Sequence, residues 1–387
     1  HPSDLPRLIE VLKRLKAEGN TLVVVDHDPA LVEAGERVID FGPGAGEDGG
    51  NIVYEGPPQG LLEASTETGL WLSGKQALPA HTPRSTHRLV KLTGATGHNL
   101  QNVNFKFPLG ALTVVSGPSG AGKSSLVFDT LLPALNNAPG LPYDTLSGNE
   151  PLRRIAAVNA RPIGRTSRSM PATYTGLWTG LRSLYAATKE ARIRGFEAGH
   201  FSLANKGGRC EACRGLGIRR VELAWLPEVH LPCEVCDGRR YDESTLAVRF
   251  RDKNLSQVLE LTVEQARAHF AGLRQAEPAL KAMDDIGLGY LPLGRPTASL
   301  SGGEAQRLKL AREVCRGSAE DTLFVLDEPC VGAHPRDVAR LCNVLHDLVD
   351  QGATVLVIEH DPMMLEQADR VITLGPGAGP HGGQILG

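Results

Sequence analysis

The feature that most constrains the fold of this chain is a glycine-rich stretch, Gly117-Pro-Ser-Gly-Ala-Gly-Lys123-Ser124, which matches the phosphate-binding pattern G-x-x-x-x-G-K-[ST]. Residues 111–116 before it have the composition of a buried strand, and the apolar spacing after Lys123 is that of a helix. Glycines let a backbone wrap closely around an anion, and the helix N-terminus adds partial positive charge. The alternative is a strand-to-helix turn without a ligand. The intact Lys-Ser pair and its flanks favour a phosphate site.

This phosphate loop is expected to bind ATP and Mg²⁺. Lys123 would reach the β and γ phosphates, and the Ser124 hydroxyl would ligate the metal ion. The residues predicted to bind the nucleotide are Gly117, Pro118, Ser119, Gly120, Ala121, Gly122, Lys123, Ser124 and Ser125.

The composition is that of a globular protein with several cores. The 387 residues are 41% hydrophobic, which leaves room for two or three domains of ordinary size. No run approaches the ~18 apolar residues that a membrane span needs, and the first residues do not resemble a signal peptide. We therefore expect a cytoplasmic protein without a membrane partner.

The charge is distributed unevenly along the chain. The net charge is −3, yet residues 151–220 hold 14 Lys or Arg against 3 Glu and no Asp. Arginines interleaved with Tyr174, Trp178 and Tyr185 suit phosphate contact combined with stacking, so we predict a polyanion partner. The alternative is a solvated helix face with core aromatics. The candidate DNA contacts are Arg165, Arg168, Lys206, Arg209, Arg219 and Arg220.

The beginning of the chain repeats at its end with a constant offset of 333 residues, so that His27 aligns with His360. Each copy predicts a helix, a buried strand and a polar His-Asp turn, which is a piece of a layered α/β sheet. The predicted helices are residues 5–18 and 338–351, and the predicted strands are residues 21–25 and 354–358. Only the second copy has a phosphate loop ahead of it, and the chain lacks an initiating Met. We expect the end of one module followed by a complete second module.

Four of the seven cysteines form two Cys-x-x-Cys pairs with nineteen residues between them, namely Cys210, Cys213, Cys233 and Cys236. Two tight knuckles of this kind can surround a tetrahedral Zn²⁺ with four thiolates. Four protein ligands leave no open position for chemistry, so the zinc is expected to be structural. The alternative is a set of unpaired buried thiols.

A second glycine cluster lies at Ser301-Gly302-Gly303-Glu304. Ser301 and Glu304 satisfy a capping box, so one interpretation is simply a well-capped helix. The two glycines also bare backbone N–H groups at a helix start, where an anion can bind. Given the phosphate loop in the same chain, we favour the anion interpretation.

Polar residues follow two predicted strands. An apolar run at 323–326 ends in Asp327 and Glu328, which suit a Mg²⁺ partner reached through water and a base for the attacking water. His360 follows the next strand at the same edge of the sheet and is a candidate contact to the γ-phosphate. The predicted catalytic residues are therefore Glu328 and His360.

The ordered set of the phosphate loop, Leu-Ser-Gly-Gly at 300–303, Leu-Asp-Glu-Pro at 326–329 and His360 resembles an ABC-type ATPase. The 177 residues between Lys123 and Ser301 disfavour a transporter subunit, which has a short helical piece there. Three segments closely resemble the UvrA family: Phe201-Ser-Leu-Ala-Asn-Lys-Gly-Gly-Arg-Cys210-Glu-Ala-Cys, Pro162-Ile-Gly-Arg165-Thr and Pro171-Ala-Thr-Tyr174-Thr-Gly. The resemblance covers essentially the whole chain.

The resemblance implies an ATPase that recognises damaged duplex DNA in bacterial nucleotide excision repair, works as a dimer and does not cut DNA itself. It implies that Ser301, Gly302, Gly303 and Glu304 complete the nucleotide site of another module, and that His27 is the switch histidine of the first module. A UvrB-like partner is implied, with its binding region outside this chain. Two alternatives remain: a DNA-binding module without turnover, and a divergent paralogue with a resistance or efflux-associated role.

The expected fold is α/β, an ABC-type ATPase module with a helical insertion and a zinc hairpin, preceded by the end of a second module. The expected segments are 1–75 for the first module, 76–88 for a linker, 89–160 for the phosphate-loop part, 161–294 for the insertion with a zinc hairpin at 207–240, and 295–387 for the remainder.

Two departures from the family pattern concern the ATPase machinery. Asn159-Ala160-Arg161 stands where the family has Asp-Gln-Ser, so the glutamine that senses Mg²⁺ and the γ-phosphate is absent. Cys330-Val331-Gly332-Ala333 replaces Thr-Thr-Gly-Leu after the paired carboxylates, which bears on communication between sites.

Overall fold

The computed structural model describes residues 5–44, 46, 49–159, 161, 163–164, 166–223 and 226–386, with the side chains of 220–223, 226–228 and 230 left out. Two compact units are present, residues 1–160 with 317–387, and residues 161–316. The second unit extends to Arg316, so that it includes the Ser-Gly-Gly helix. The finer segment boundaries stay predictions.

The strands of the described residues are, in chain order, β1 Val38–Gly42, β2 Asn51–Gly56, β3 Leu89–Ala95, β4 Val103–Pro108, β5 Leu112–Ser116, β6 Thr145–Ser147, β7 Arg154–Val158, β8 Ile218–Leu223, β9 Leu226–Pro232, β10 Thr322–Asp327, β11 Thr354–Ile358, β12 Arg370–Gly375 and β13 Gln384–Ile385.

The α-helices of the same residues are α1 Leu5–Ala17, α2 Pro29–Ala34, α3 Pro58–Glu63, α4 Glu67–Leu72, α5 Leu132–Leu135, α6 Pro171–Tyr174, α7 Leu177–Ala186, α8 Lys189–Arg194, α9 Glu243–Leu246, α10 Leu255–Glu260, α11 Val263–His269, α12 Glu277–Met283, α13 Gly302–Cys315, α14 Pro335–Asp350 and α15 Pro362–Glu366. Wider π-helical turns occupy Ser125–Leu131 and Asp284–Leu288, and short 3₁₀ turns occupy Thr297–Ser299 and Gly379–His381.

The main sheet of the first unit has the strand order β13-β12-β5-β11-β10-β7, and all neighbours are parallel except β12 and β13. Strands β5 and β11 are buried at every position, as expected for continuous apolar runs in a parallel sheet covered on both faces. Because β5, β11 and β10 are neighbours and run in one direction, their carboxyl ends meet at one edge. This α/β architecture confirms the predicted fold class.

A smaller antiparallel sheet, β4-β3-β6, packs against the same core. Burial alternates along β4, in which Val103, Phe105 and Phe107 are buried while Asn104 and Lys106 are exposed. The helical stretch after the phosphate loop buries Leu126 and Leu131 in this core. The phosphate loop is therefore held between a central strand and a buried helix.

The prediction of a buried strand at residues 21–25 is wrong. These residues form no strand, and Val23 and Val25 are 88% and 96% exposed. Their repeat counterpart, β11, is hydrogen-bonded on both sides, to β5 and to β10. A central strand needs neighbours for its backbone N–H and C=O groups, and no strand of the described residues pairs with 21–25. The same apolar pattern therefore has different outcomes in the two copies.

The second unit is mainly helical, with the hairpin β8-β9 as its only sheet in the described residues. Helix α7 buries one apolar face that includes Trp178 and Tyr185, and the Tyr185 hydroxyl donates to the Lys253 carbonyl at 2.6 Å. Thr262 and Gln265 form a capping box at the start of α11. Because Tyr185 is fully buried, it is a core residue and cannot stack on a ligand.

None of the helices in the described part of the chain has the length and apolar character needed to cross a bilayer.

Candidate functional site

The phosphate loop has the backbone that its sequence predicts. Gly117, Gly120 and Gly122 have φ values of 136°, 77° and 102°, a region that side chains with a Cβ atom rarely adopt. A Cβ atom at Gly117 would also lie 2.1 Å from the carbonyl oxygen of Leu374 in β12. Glycine is therefore required there both by the backbone angle and by the close approach of a neighbouring strand.

A second group of residues, which the sequence interpretation missed, supports this loop from outside. The Asn99 side-chain amide donates to the carbonyls of Gly120 and Gly379 at 3.1 and 3.2 Å. The Gly379 amide donates to Gly120 O at 3.0 Å, and the Gly383 amide donates to Ala121 O at 2.9 Å. The available signal was the repeated Gly-Pro-Gly-Ala-Gly at 42–46 and 375–379, which indicated a repeat but not a contact with the loop.

Lys123 is buried and folded back onto its own loop. Its Nζ donates to the carbonyls of Gly117 and Pro118 at 2.7 and 2.9 Å. Burial lowers the pKa of Lys123, while the nearby carboxylates of Glu328 and Asp327 raise it. The ammonium group is thus held at the point where a phosphate is predicted to bind, beside the exposed Ser124.

The paired carboxylates lie at the carboxyl end of β10, as predicted. Burial and the charge of Glu328 raise the pKa of Asp327, and Lys123 opposes this rise. Glu328 has φ 47°, a left-handed conformation that strains a residue other than glycine by about 1–3 kcal/mol. Its amide donates to Ile358 O in β11 at 2.9 Å. This hydrogen bond ties the predicted base to the strand that precedes His360.

Glu359 is a second site residue that the sequence interpretation did not single out. Its side chain is 1% exposed, and its carboxylate accepts from the amides of Cys330, His360 and Asp361 at 2.9, 2.8 and 3.3 Å. The segment after Glu328 and the segment that carries His360 are therefore joined through one buried carboxylate. Cys330, one of the departures from the family pattern, takes part through its backbone and is itself buried.

Glu359→Gln is expected to lower ATP turnover by about 10²-fold, the scale of a misplacement of about 1 Å at a reacting centre. The amide nitrogen of Gln cannot accept, so at least one of the three N–H groups loses its partner. ATP binding is expected to change much less. Steady-state turnover and nucleotide affinity, measured side by side, check this expectation.

Glu366→Gln is the matched control, because Glu366 is an exposed residue of α15. Unchanged turnover in Glu359→Gln, with the folded state intact by circular dichroism, would contradict a positioning role.

The two histidines that are predicted to be switch residues share a local turn. The side chain of His360 is 26% exposed, and its Nδ1 lies 3.5 Å from Glu359 Oε1. In the first copy, Asp26 takes the place of Glu359 and accepts from the amides of His27 and Asp28 at 2.7 and 2.9 Å. The repeat therefore preserves a local turn in which an acidic side chain orients the histidine backbone.

The Ser-Gly-Gly cluster starts α13 in the second unit. Ser301 and Glu304 form the predicted capping box, with Ser301 Oγ accepting from Glu304 N at 3.2 Å and Glu304 accepting from Ser301 N at 2.8 Å. Tyr290 donates to the other oxygen of Glu304 at 2.8 Å. Ser301 and Gly302 are exposed, and a Cβ atom on Gly302 would meet nothing within 4 Å. The helix start is thus capped by the side chains of Ser301 and Glu304, while Ser301 and Gly302 remain exposed on its surface.

The four cysteines of the two pairs come together in the second unit. Their sulfur atoms all lie within 4.8 Å of one another, and each residue is at least 96% buried. Tetrahedral zinc with Zn–S bonds of about 2.3 Å needs sulfur separations of about 3.8 Å. Cys213 Sγ and Cys236 Sγ are 3.7 Å apart, and Gly217 N donates to Cys213 Sγ at 3.3 Å. This donor set fits a tetrahedral metal ion.

The candidate DNA contacts have different environments. Lys206 is exposed, and Arg219 is half exposed and 3.9 Å from Glu234. Arg209 is buried and donates to Ala204 O and to Glu211, which gives it a role in holding the base of the cysteine hairpin. Arg168 is half-buried. Arg165, Ala160 and the side chain of Arg220 lie outside the described residues.

The class of ABC-type ATPases is defined by the combination of these features: a phosphate loop on a central parallel strand, carboxylates and a histidine at the same edge, and a capped Ser-Gly-Gly helix start. No family model matches the chain. Over its whole length the chain is 46% identical to UvrABC system protein A of Pseudomonas aeruginosa and 47% identical to that of Thermus thermophilus, and it spans 42% of each. The crystal structure of UvrA2 from Deinococcus radiodurans matches all of this chain and 48% of its own, with 46% identity and a TM-score of 0.94. The chain belongs to the UvrA family, as its sequence motifs predict.

Proposed function

We propose that this chain couples ATP binding and hydrolysis to the recognition of damaged DNA in nucleotide excision repair, and that it cuts no bond in DNA itself. The observation that carries the proposal is the convergence of Lys123, Asp327, Glu328 and His360 at one sheet edge, in a chain that matches UvrABC system protein A along its full length. The chain spans less than half of those relatives, so the activity of the whole protein is part of the proposal.

The proposed reaction is phosphoryl transfer from ATP to water. Lys123 binds the β and γ phosphates, the loop amides hold the α and β phosphates, and the Ser124 hydroxyl and Asp327 hold Mg²⁺. The metal ion, when bound, neutralises charge on the phosphate oxygens. Glu328 orients and deprotonates the attacking water, and His360 contacts the γ-phosphate. Glu359 positions His360 through the backbone.

The nucleotide site is proposed to need a second module. In ABC-type ATPases the phosphate loop of one module faces the Ser-Gly-Gly of another. The exposed helix start at Ser301, Gly302 and Gly303 would accordingly bind the nucleotide held by the phosphate loop of a different module. The nucleotide at Lys123 would in turn be contacted by the Ser-Gly-Gly segment of another module. We propose head-to-tail self-association as one route to a complete site.

The cysteine cluster is proposed to hold a structural Zn²⁺. Four sulfurs supply all four ligands of a tetrahedral ion, so no position remains for water or substrate. The surrounding Lys206 and Arg219 are proposed to contact phosphates of the DNA backbone, with Arg168 as a further candidate. Phosphate contacts of this kind fix position and contribute affinity that falls with salt.

Turnover and DNA binding by this chain test the proposal. We expect the rate per chain to rise with chain concentration and to respond to damaged duplex more than to undamaged duplex. DNA affinity should fall with salt at a log–log slope of about 0.9 per phosphate neutralised. A rate of ATP hydrolysis per chain that does not depend on chain concentration would contradict the need for a second module. A DNA affinity that does not change with salt would contradict the assignment of the basic side chains as phosphate contacts.

A further inference from the structure

A cavity of about 430 Å³ lies within the second unit and is separate from the residues assigned to ATP and to the metal ion. Three arginines and two aromatic rings contribute to its wall, together with hydroxyls that include Ser202: Arg168, Arg182, Arg312, Tyr174 and Trp178. Only Arg168 belongs to the candidate DNA contacts. No Asp or Glu of the described residues lines the cavity, so its positive charge is not balanced from within.

Two buried donors of residues in this wall, Arg182 Nε and Trp178 Nε1, lack a hydrogen-bond partner among the described residues. Arg182 Nε is buried and makes no hydrogen bond to any described residue. A buried N–H group without an acceptor is unfavourable, because it has lost water and gained nothing in exchange. The Arg182 guanidinium carries a full positive charge, so the missing acceptor is best supplied by an anion.

The other two arginines are held in place by contacts that leave part of each guanidinium available. The Arg312 guanidinium carbon lies 4.6 Å from the centroid of the Tyr174 ring, a cation–π distance. Arg168 donates from Nε to Arg214 O at 3.0 Å, and this bond does not involve its two terminal nitrogens. Side chains that are already ordered lose less conformational entropy when they bind, so the site is preorganised.

We propose that this cavity binds the phosphate group of a single nucleotide, with the three arginines around the phosphate and Trp178 and Tyr174 beside the sugar and base. Arginine matches phosphate oxygens with paired N–H groups, and 430 Å³ lies within the ordinary range of small-molecule pockets. The volume admits one nucleotide and excludes a duplex. The ligand is either a free nucleoside monophosphate or one nucleotide displaced from a DNA strand. This assignment goes beyond the proposed ATPase and does not depend on it.

The test uses the full chain with Lys123→Ala, so that the phosphate loop does not contribute binding. Calorimetric titrations with dTMP, thymidine and inorganic phosphate separate the phosphate from the nucleoside. We expect dTMP to bind. The affinity for thymidine should be at least about tenfold lower, which is the scale of one charge-assisted hydrogen bond. Equal binding of thymidine and dTMP, or no binding of dTMP at millimolar concentration, would overturn the proposal.

Substitutions assign the binding to the cavity. Arg182→Gln and Arg312→Gln are each expected to weaken dTMP binding about tenfold, whereas Arg274→Gln, an exposed residue of the same unit, leaves it unchanged. If Arg182→Gln does not fold, Arg312→Gln decides. Binding that survives Arg312→Gln, or that Arg274→Gln weakens equally, contradicts the assignment. Competition by a short single-stranded oligonucleotide identifies a DNA strand as the source, and its absence identifies the free mononucleotide.

Discussion

Lys123→Ala is expected to remove ATP binding at the phosphate loop and to lower turnover by about 10²-fold or more, the scale of losing one preorganised electrostatic contact to a reacting group. Lys123 Nζ bonds to two carbonyls of its own loop and lies near the Asp327 and Glu328 carboxylates. Its loss therefore removes the cation that would meet the phosphates. It also removes the charge that opposes the raised pKa of Asp327, so that this pKa should rise further.

The measurements are nucleotide affinity and steady-state turnover on the same preparation. Lys106→Ala is the control, because Lys106 is an exposed lysine of β4 in the same unit. We expect it to behave like the unmodified chain. Turnover that persists in Lys123→Ala would show that hydrolysis comes from another site, and the nucleotide assignment would then have to be abandoned.

Removal of the metal ion from the cysteine cluster is expected to unfold the hairpin region at 207–240. Structural zinc contributes about 10–16 kcal/mol in small modules, far more than the small core of this hairpin supplies. The cluster is the centre of that region, with Leu216 as its apolar neighbour, and Cys210 N and Cys233 N bond to the carbonyls of Arg240 and Gly217 at 2.9 Å. Without the ion, the four buried thiols would no longer be joined by metal–sulfur bonds.

Cys233→Ser and treatment with a chelator should both lower zinc content from about one ion per chain and expose 207–240 to proteolysis. Cys315→Ser is the matched control, since Cys315 lies outside the cluster on α13 and bonds only to Pro278 O among the described residues. Zinc content that is unchanged in Cys233→Ser would refute the metal assignment. Proteolysis restricted to the hairpin, with turnover retained, would show that the metal is needed locally.

Much of the fold could be predicted because its strands and loops carry strong local signals. The apolar runs at β5, β10 and β11 are fully buried in a parallel sheet, and such strands need no alternation to be recognised. The segment at 21–25 shows the limit of that inference. Its composition matches β11, but burial depends on neighbouring strands, and local composition contains no information about them.

The candidate site likewise contains some residues that the local sequence identifies and others that it does not. Lys123, Asp327 and His360 could be assigned because each lies at a fixed position relative to a recognisable strand or loop. Glu359 and Asn99 could not, since their importance comes from hydrogen bonds to backbone groups far away in the chain. A single Glu before His360 or a single Asn before β4 has no distinctive pattern. Arg182, whose Nε has no acceptor among the described residues, was likewise one of fourteen basic residues at 151–220.

By itself the sequence determined that this protein has a phosphate loop, a capped Ser-Gly-Gly helix, paired carboxylates and a four-cysteine cluster, because each depends on residues close together in the chain. Only the tertiary structure decided that Glu359 links the segment after Glu328 to the segment that carries His360, that the turn at 375–383 supports the loop, and that three arginines line one cavity. The physical reason is that hydrogen-bond partners and cavity walls are set by packing between distant segments, whereas turns, caps and ligand spacings are set by local backbone geometry.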